Sequence, residues 1–273
     1  MADFIAEVIR GLNAGGVVAV ATVIGPPAAD TSVLGRKLVV TQDGEILGTL
    51  GSASIDRQIA NNLMSTMGEA TTPHLIPYPL SPKEQARLNV AVPELELFLE
   101  FLVPAPTLLI AGGGHIAVPL CTMGKSLGFR VAVVDDRPDF ANRERFPDAD
   151  QVIAGDFGEV LAGRIPVNSS SYVVIVTRGH ANDEAALRAV LESHAAYIGM
   201  IGSSKKVKTI MDRMRESGVP QKQLDQVYSP IGLDIAAETP AEIALSILAE
   251  IVHLRRCGTP HPSSMKLATR QAR

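Results

Sequence analysis

The sequence predicts an α/β protein in two parts, on three observations. From residue 107 onward, short apolar runs alternate with helical patterns, as in a parallel sheet covered on both faces. Before residue 103 the runs read as a hairpin and an alternating strand beside helices, the pattern of a small antiparallel sheet. Between the two stands VPAP (103–106), stiffened by its prolines. The expected division is an N-terminal α+β domain over 1–103, a doubly wound parallel-sheet domain over 107–258 and a flexible polar tail over 259–273.

Taken in order, MADFIAEVIRGLNAGG reads as an amphipathic helix with acids in its first turns. It lacks the basic start and apolar centre of a signal peptide, and no apolar run approaches the ~20 residues that span a bilayer, so a cytoplasmic protein without membrane contact is expected. A strand at 16–24 precedes the segment 35–51, in which Asp43-Gly44 separates two apolar runs and predicts a hairpin turn. A helix starting at Ser54 places Ile55, Ile59, Leu63 and Met67 on one face and closes at Gly68. Residues 69–93 show little periodicity and read as loop. The alternation of ELELFLEFL (94–102) predicts a strand with Leu95, Leu97, Leu99 and Phe101 inward.

In the second part strands are expected at TLLIA, RVAVVD, QVIAG, SYVVIVT and AYIGMIG. Helices are expected over 116–127, 182–193 and 204–217, with a helix or turn near 139–146. A last helix has an explicit start, with Thr239 as N-cap, Pro240 at the first helical position and Glu242 completing a capping box; Ile243, Ile247, Ile251 and Leu254 form its inner stripe and Gly258 ends it.

Composition narrows the function classes. The chain is 46% hydrophobic and only 4% aromatic with no Trp, so its core is aliphatic. A net charge of −4, with basic residues clustered only at SSKKVK (203–208), argues against a nucleic-acid partner. Cys121 and Cys257 have no metal-ligand spacing, so no metal site and no disulfide scaffold are expected.

Four stretches carry chemistry. In TLLIAGGGHIAVPL, Gly112, Gly114 and Ala117 fit G-x-G-x-x-A between a strand and a helix, the arrangement that brings backbone N–H groups and a helix N-terminus to a pyrophosphate. His115 follows, either as a phosphate or pterin contact or as a solvated helix start. The next strand ends in Asp135-Asp136, about 20 residues on, where an acid accepts from a ribose, and Arg137 follows directly. VVIVTRGHANDEAAL places Thr177, Gly179, His180 and Asp183 beyond a third strand. There His180 with Asp183 reads as an oriented imidazole, or Asn182 or Asp183 reads as a helix cap. YIGMIGSSKKVKTI sets Gly202, Ser203 and Lys205 at a further helix start, an anion cradle or a solvated helix end. If the strand order reverses beside the first strand, these loops share one crevice.

The runs AGGGH, LGFRVAVVDDRPDFANRERFPDAD, VIVTRGHANDEAALRAVL, AYIGMIGSSKK and SPIGLDIAAETPAEIALSILAEI, in this order over 107–252, strongly resemble the XdhC/CoxI family, accessory factors for xanthine dehydrogenase and carbon monoxide dehydrogenase. The resemblance implies a Rossmann-type C-terminal domain and a maturation factor, a cofactor-binding chaperone more than a catalyst. Such a protein binds the molybdenum cofactor (molybdopterin or its cytosine dinucleotide), assists its sulfuration with a sulfur donor protein and hands it to an apo molybdenum hydroxylase; a homodimer is expected with it. The N-terminal part departs from the family. Ala53 and Ser54 stand in GTLGSASID where a Gly-Gly-Cys motif would run, PPAADTSV replaces a basic GSAPR-like stretch, and LNVAVP lacks a second Cys-Gly-Gly. A serine hydroxyl stays protonated at neutral pH and is no substitute for a thiolate. The alternatives are an NAD(P)-dependent oxidoreductase, with Asp135 on the ribose and His180 as acid or base, and a regulatory remnant of the fold.

Overall fold

The computed structural model describes residues 2–25, 33–67 and 72–257. The chain forms two compact units, 1–104 and 105–273.

In the first unit, helix α1 (Ala2–Asn13) leads into strands β1 (Val18–Gly25), β2 (Lys37–Thr41) and β3 (Ile46–Gly48), then α2 (Ala53–Thr66), β4 (His74–Pro79), α3 (Pro82–Leu88) and β5 (Glu94–Leu102). The sheet is antiparallel with order β3-β2-β1-β5-β4. The β2–β3 hairpin turns at Asp43-Gly44 as expected, Gly44 taking φ +88°. The two-residue period sorts the sheet faces: Val18, Val20 and Val39 meet Phe4, Val8 and Leu12 of α1. Ala19, Ala21, Leu38 and Val40, with Leu95, Leu97 and Leu99 of β5, meet Ile55, Ile59 and Leu63 of α2.

α2 begins at Ala53, one residue before the expected start, and Gly68 lies outside the described residues. The segment expected to be loop holds β4 and α3. Pro77 and Pro79 are tolerated because β4 is an edge strand, and Ser81 and Glu84 close a reciprocal capping box on α3 with Pro82 at its start.

The second unit runs β6 (Thr107–Ala111), α4 (Ala117–Ser126), β7 (Arg130–Asp135), β8 (Gln151–Ala154), α5 (Phe157–Gly163), β9 (Ser171–Ile175), α6 (Gly179–Val190), β10 (Tyr197–Met200), α7 (Ser204–Glu216), α8 (Gln221–Leu224), β11 (Val227–Tyr228) and α9 (Pro240–Cys257). All six strands are parallel, in the order β11-β10-β9-β6-β7-β8. The order reverses between β6 and β9, so the protein is an α/β chain whose second unit is a Rossmann-like sheet. Leu109 and Ala111 of β6 pack with α5, α6 and α7, while Leu108 and Ile110 pack with α4 and α9. Burial on both faces is why these strands read as continuous apolar runs.

α5, absent from the expected elements, is capped by Asp156, whose side chain accepts from Glu159 N–H. Residues 139–146 form turns rather than a helix, and α6 begins three residues before the expected 182. The capping box of α9 is formed as expected, Glu242 accepting from Thr239 N–H at 2.8 Å and Thr239 Oγ1 from Glu242 N–H at 3.3 Å. Gly258 and the tail lie outside the described residues.

Candidate functional site

The loop after β6 sits at the reversal of strand order. Gly112 takes φ +114°, and a Cβ there would stand 2.5 Å from the Val176 carbonyl oxygen. Only glycine lets β6 leave the sheet so close to the end of β9. At Gly113 a Cβ would run into the Phe140 carbonyl, whereas at Gly114 nothing lies within 4 Å. His115 beside it is exposed, and Ala117 is buried at the start of α4.

Gly113 is fastened at both ends of its peptide groups. Its N–H donates to Asp135 Oδ2 at 2.7 Å, and its carbonyl accepts from Arg145 Nε at 2.8 Å. Asp135, at the end of β7, is buried and fully engaged. Oδ1 accepts from Arg137 N–H at 3.0 Å and Arg137 Nε at 2.8 Å, and Oδ2 from Arg137 Nη2 at 3.0 Å. Burial by itself would raise the pKa of this carboxyl; the Arg137 bonds, together with the Gly113 and Arg137 N–H groups, outweigh it and hold the acid below the ordinary carboxylate range. The Arg137 guanidinium also lies 3.5 Å from the centre of the Phe140 ring. Asp135 and Arg137 are thus the fastening of the glycine loop.

Asp136 points the other way. Its Oδ2 accepts from Arg178 Nη2 and from Asn182 Nδ2, each at 3.3 Å, and Arg137 Nε lies 3.6 Å from its Oδ1. Beyond β9, Thr177 Oγ1 donates to Asp183 Oδ1 at 2.7 Å, and the fully buried Asp183 pairs through Oδ2 with Lys206 in the first turn of α7. Asp183 therefore neither orients His180 nor caps α6. Its carboxylate turns inward to tie β9, α6 and α7 together, and His180 stands exposed beside Gly179. At β10 the Ser203 hydroxyl caps α7 by accepting from Lys206 N–H at 3.3 Å, next to Gly202, while Lys205 is exposed.

The geometry therefore links the loops of β6, β7 and β9 through Gly113, Asp135, Asp136 and Arg178, and those of β9 and β10 through Thr177, Asp183 and Lys206. It leaves Gly114, His115, His180 and Lys205 without a fastening role. Sequence reasoning missed Arg145 and Arg178; RPDFANRERF signals cations near the loop, but not which of them returns to Gly113. Among the described residues no cluster of His, Cys, Asp and Glu is arranged to hold a metal ion, and no helix is long and apolar enough to cross a membrane.

Known proteins match along both units. Residues 108–251 match the model of the XdhC Rossmann domain, and residues 12–78 that of the XdhC and CoxI family. The chain is 28% identical over 221 residues to the uncharacterized protein YqeB of Escherichia coli K12, covering 80% of this chain and 40% of that one. It is 31% identical over 160 residues to a Bacillus subtilis protein described as a probable xanthine dehydrogenase component, covering 59% of this chain and 46% of that protein. The chain thus spans less than half the length of these curated relatives. A solved chain from Bacillus halodurans, described as a xanthine dehydrogenase, shares the fold with a TM-score of 0.53 at 20% identity over 95% of this chain and 97% of that one. With residues 108–251, more than half of the chain, matched by the XdhC Rossmann-domain model, this chain belongs to the XdhC and CoxI family.

Proposed function

We propose that the chain carries the molybdenum cofactor, as molybdopterin or its cytosine dinucleotide, at the glycine loop Gly112 to His115, and delivers it to an apo molybdenum hydroxylase such as xanthine dehydrogenase. The observation that carries this reading is Gly114: its neighbours Gly112 and Gly113 are hemmed in by backbone, yet the space where its own Cβ would stand is open. A glycine that its own fold does not require, at a helix start and a switch point, fits close approach of a phosphate. In this reading Gly114 and His115 receive the phosphate, Asp136 a ribose or pterin edge, and Ser203 with Lys205 a second anion, while Gly112, whose N–H donates to the Val134 carbonyl at 2.7 Å, shapes the loop. Thr177, Gly179, His180 and Gly202 line the opposite wall, and Asp135 and Arg137 hold the loop in shape.

The phosphate-bearing part of the cofactor suits these residues; its sulfur chemistry is not matched by a thiolate. Burial, then the charge of Asp148, push the Cys121 thiol up to about 11, so it stays protonated. Cys257 is exposed at the end of α9, and Ser54, where the resemblance would put a cysteine, is exposed as a serine. Sulfuration then falls to a separate sulfur donor, and this chain's part is binding and handover.

The test is anaerobic calorimetric titration with molybdenum cofactor released from a mature hydroxylase, alongside NAD and NADP. Binding of the cofactor without the nicotinamides is expected. Binding of NAD or NADP alone would replace this reading with an oxidoreductase, and binding of none of the three would leave a partner-binding remnant of the fold.

A further inference from the structure

Two elements that are not neighbours in the sheet touch above it. Asp136 follows β7 and Arg178 and Asn182 follow β9, while β6 and its glycine loop lie between those strands. The 3.3 Å contacts from Arg178 Nη2 and Asn182 Nδ2 to Asp136 Oδ2 therefore cross the C-terminal end of β6, with Arg137 Nε 3.6 Å from the other oxygen. Arg178 is 61% exposed and Asp136 30%. Long, solvated contacts of this kind add little to stability, so little is lost when they are exchanged for contacts to a ligand. Both ends of the strap are also chemically apt for the cradle proposed at the glycine loop. A guanidinium prefers a phosphate to one oxygen of a carboxylate, and an acid just beyond the second strand of such a sheet is placed for a ribose diol. The inward acid, Asp135, is already saturated by Gly113 and Arg137 and cannot take that part.

We infer that Asp136, Arg178 and Asn182 form a clasp over the glycine loop that opens by exchange with a ligand carrying both a phosphate and a ribose. The phosphate takes Arg178 from Asp136, and the ribose hydroxyls donate to the carboxylate so released. A phosphate without a ribose must still separate the pair and leaves Asp136 unmatched. The clasp thus selects nucleotide-bearing ligands over bare phosphates. This rests on the glycine loop being the cradle proposed above, and it extends that reading to Arg178 and Asn182 and to the dinucleotide form of the cofactor.

The test titrates wild type, Asp136→Ala, Asp136→Asn and Arg178→Ala with inorganic pyrophosphate and with cytidine diphosphate, after thermal unfolding has shown that each variant keeps its midpoint. In Asp136→Ala the two probes are expected to move in opposite directions. Pyrophosphate binds several-fold tighter because Arg178 is released, and cytidine diphosphate binds about tenfold weaker because a charged acceptor is lost. Asp136→Asn, which keeps the shape, is expected to follow the same signs, and Arg178→Ala weakens both probes. If both probes tighten in Asp136→Ala, or neither changes, the exchange is overturned. Molybdenum cofactor that binds wild type while neither probe binds any variant overturns the clasp and leaves the carrier standing; failure of all three ligands overturns both.

Discussion

The chain enters two of its helices through glycine-bearing turns, Gly48 to Ser52 ahead of α2 and Gly112 to His115 ahead of α4, and the two turns use their polar groups differently. Ahead of α2 the turn is closed on itself. Asp56 accepts from Leu50 N–H and from the Thr49 hydroxyl, each at 2.7 Å, Thr49 accepts from Gly51 N–H at 2.9 Å, and a Cβ on Gly51 would run into Arg36 and Leu88. Ahead of α4 the peptide groups on both sides of Gly113 are fastened and the next glycine is left open. A glycine before a helix is therefore not in itself a ligand signal. What separates the two cases is whether the chain's own atoms already occupy the space in which a side chain would stand. By that measure Gly51, Gly112 and Gly113 serve the fold, and the space at Gly114 is left open, as the proposed cradle requires.

Of all positions in the two turns, Gly112 is expected to tolerate a side chain least. A valine there combines a left-handed φ with a backbone clash, and a loss of about 3–5 kcal/mol in denaturant unfolding, or failure to fold, is expected. A variant of near wild-type stability would show that the loop has slack.

Asp135→Asn comes next, at about 2–4 kcal/mol, because it leaves Arg137 and the Gly113 amide against a neutral group. This loss has a pH signature. The folded carboxyl titrates below its ordinary value near ~3.9, so its contribution is complete above that value and disappears as pH falls through the lower folded pKa. The stability gap between wild type and variant is expected to be constant from neutral pH down to about pH 4 and to close below it. A gap that closes nearer neutrality would mean that Asp135 is not held by Arg137.

Ser52→Ala sharpens the other side. The Ser52 hydroxyl is buried with no hydrogen-bond partner, so its removal is expected to be neutral or to raise stability by up to about 1 kcal/mol. A loss larger than that, measured by the same denaturant curves, would show the hydroxyl to be engaged and the turn ahead of α2 to hold a polar contact of its own.

Much of this was legible in the sequence for a physical reason. Strands buried on both faces are continuous apolar runs, and the hairpin at Asp43-Gly44 and the capping box of Thr239 and Glu242 are local chemistry. α3 carried its own signal, Ser81-Pro82-Lys83-Glu84, obscured by prolines that an edge strand admits. Within the site, the glycines and paired acids could be read, but their division of labour could not. Asp135 faces inward and Asp136 outward because consecutive residues leave a strand on opposite sides, and Lys206 rather than Lys205 reaches Asp183 because of how α7 is turned against α6. Arg145 returns to Gly113 across 32 residues with no periodic pattern to announce it.

The most direct measurement pairs stability with binding in Gly114→Val. With open space at this position, the unfolding free energy is expected to stay within about 0.5 kcal/mol of wild type. Anaerobic titration with released molybdenum cofactor is expected to show binding to wild type and none to the variant. Undiminished affinity in a folded Gly114→Val would contradict the account, since the open glycine would then be no part of the cradle.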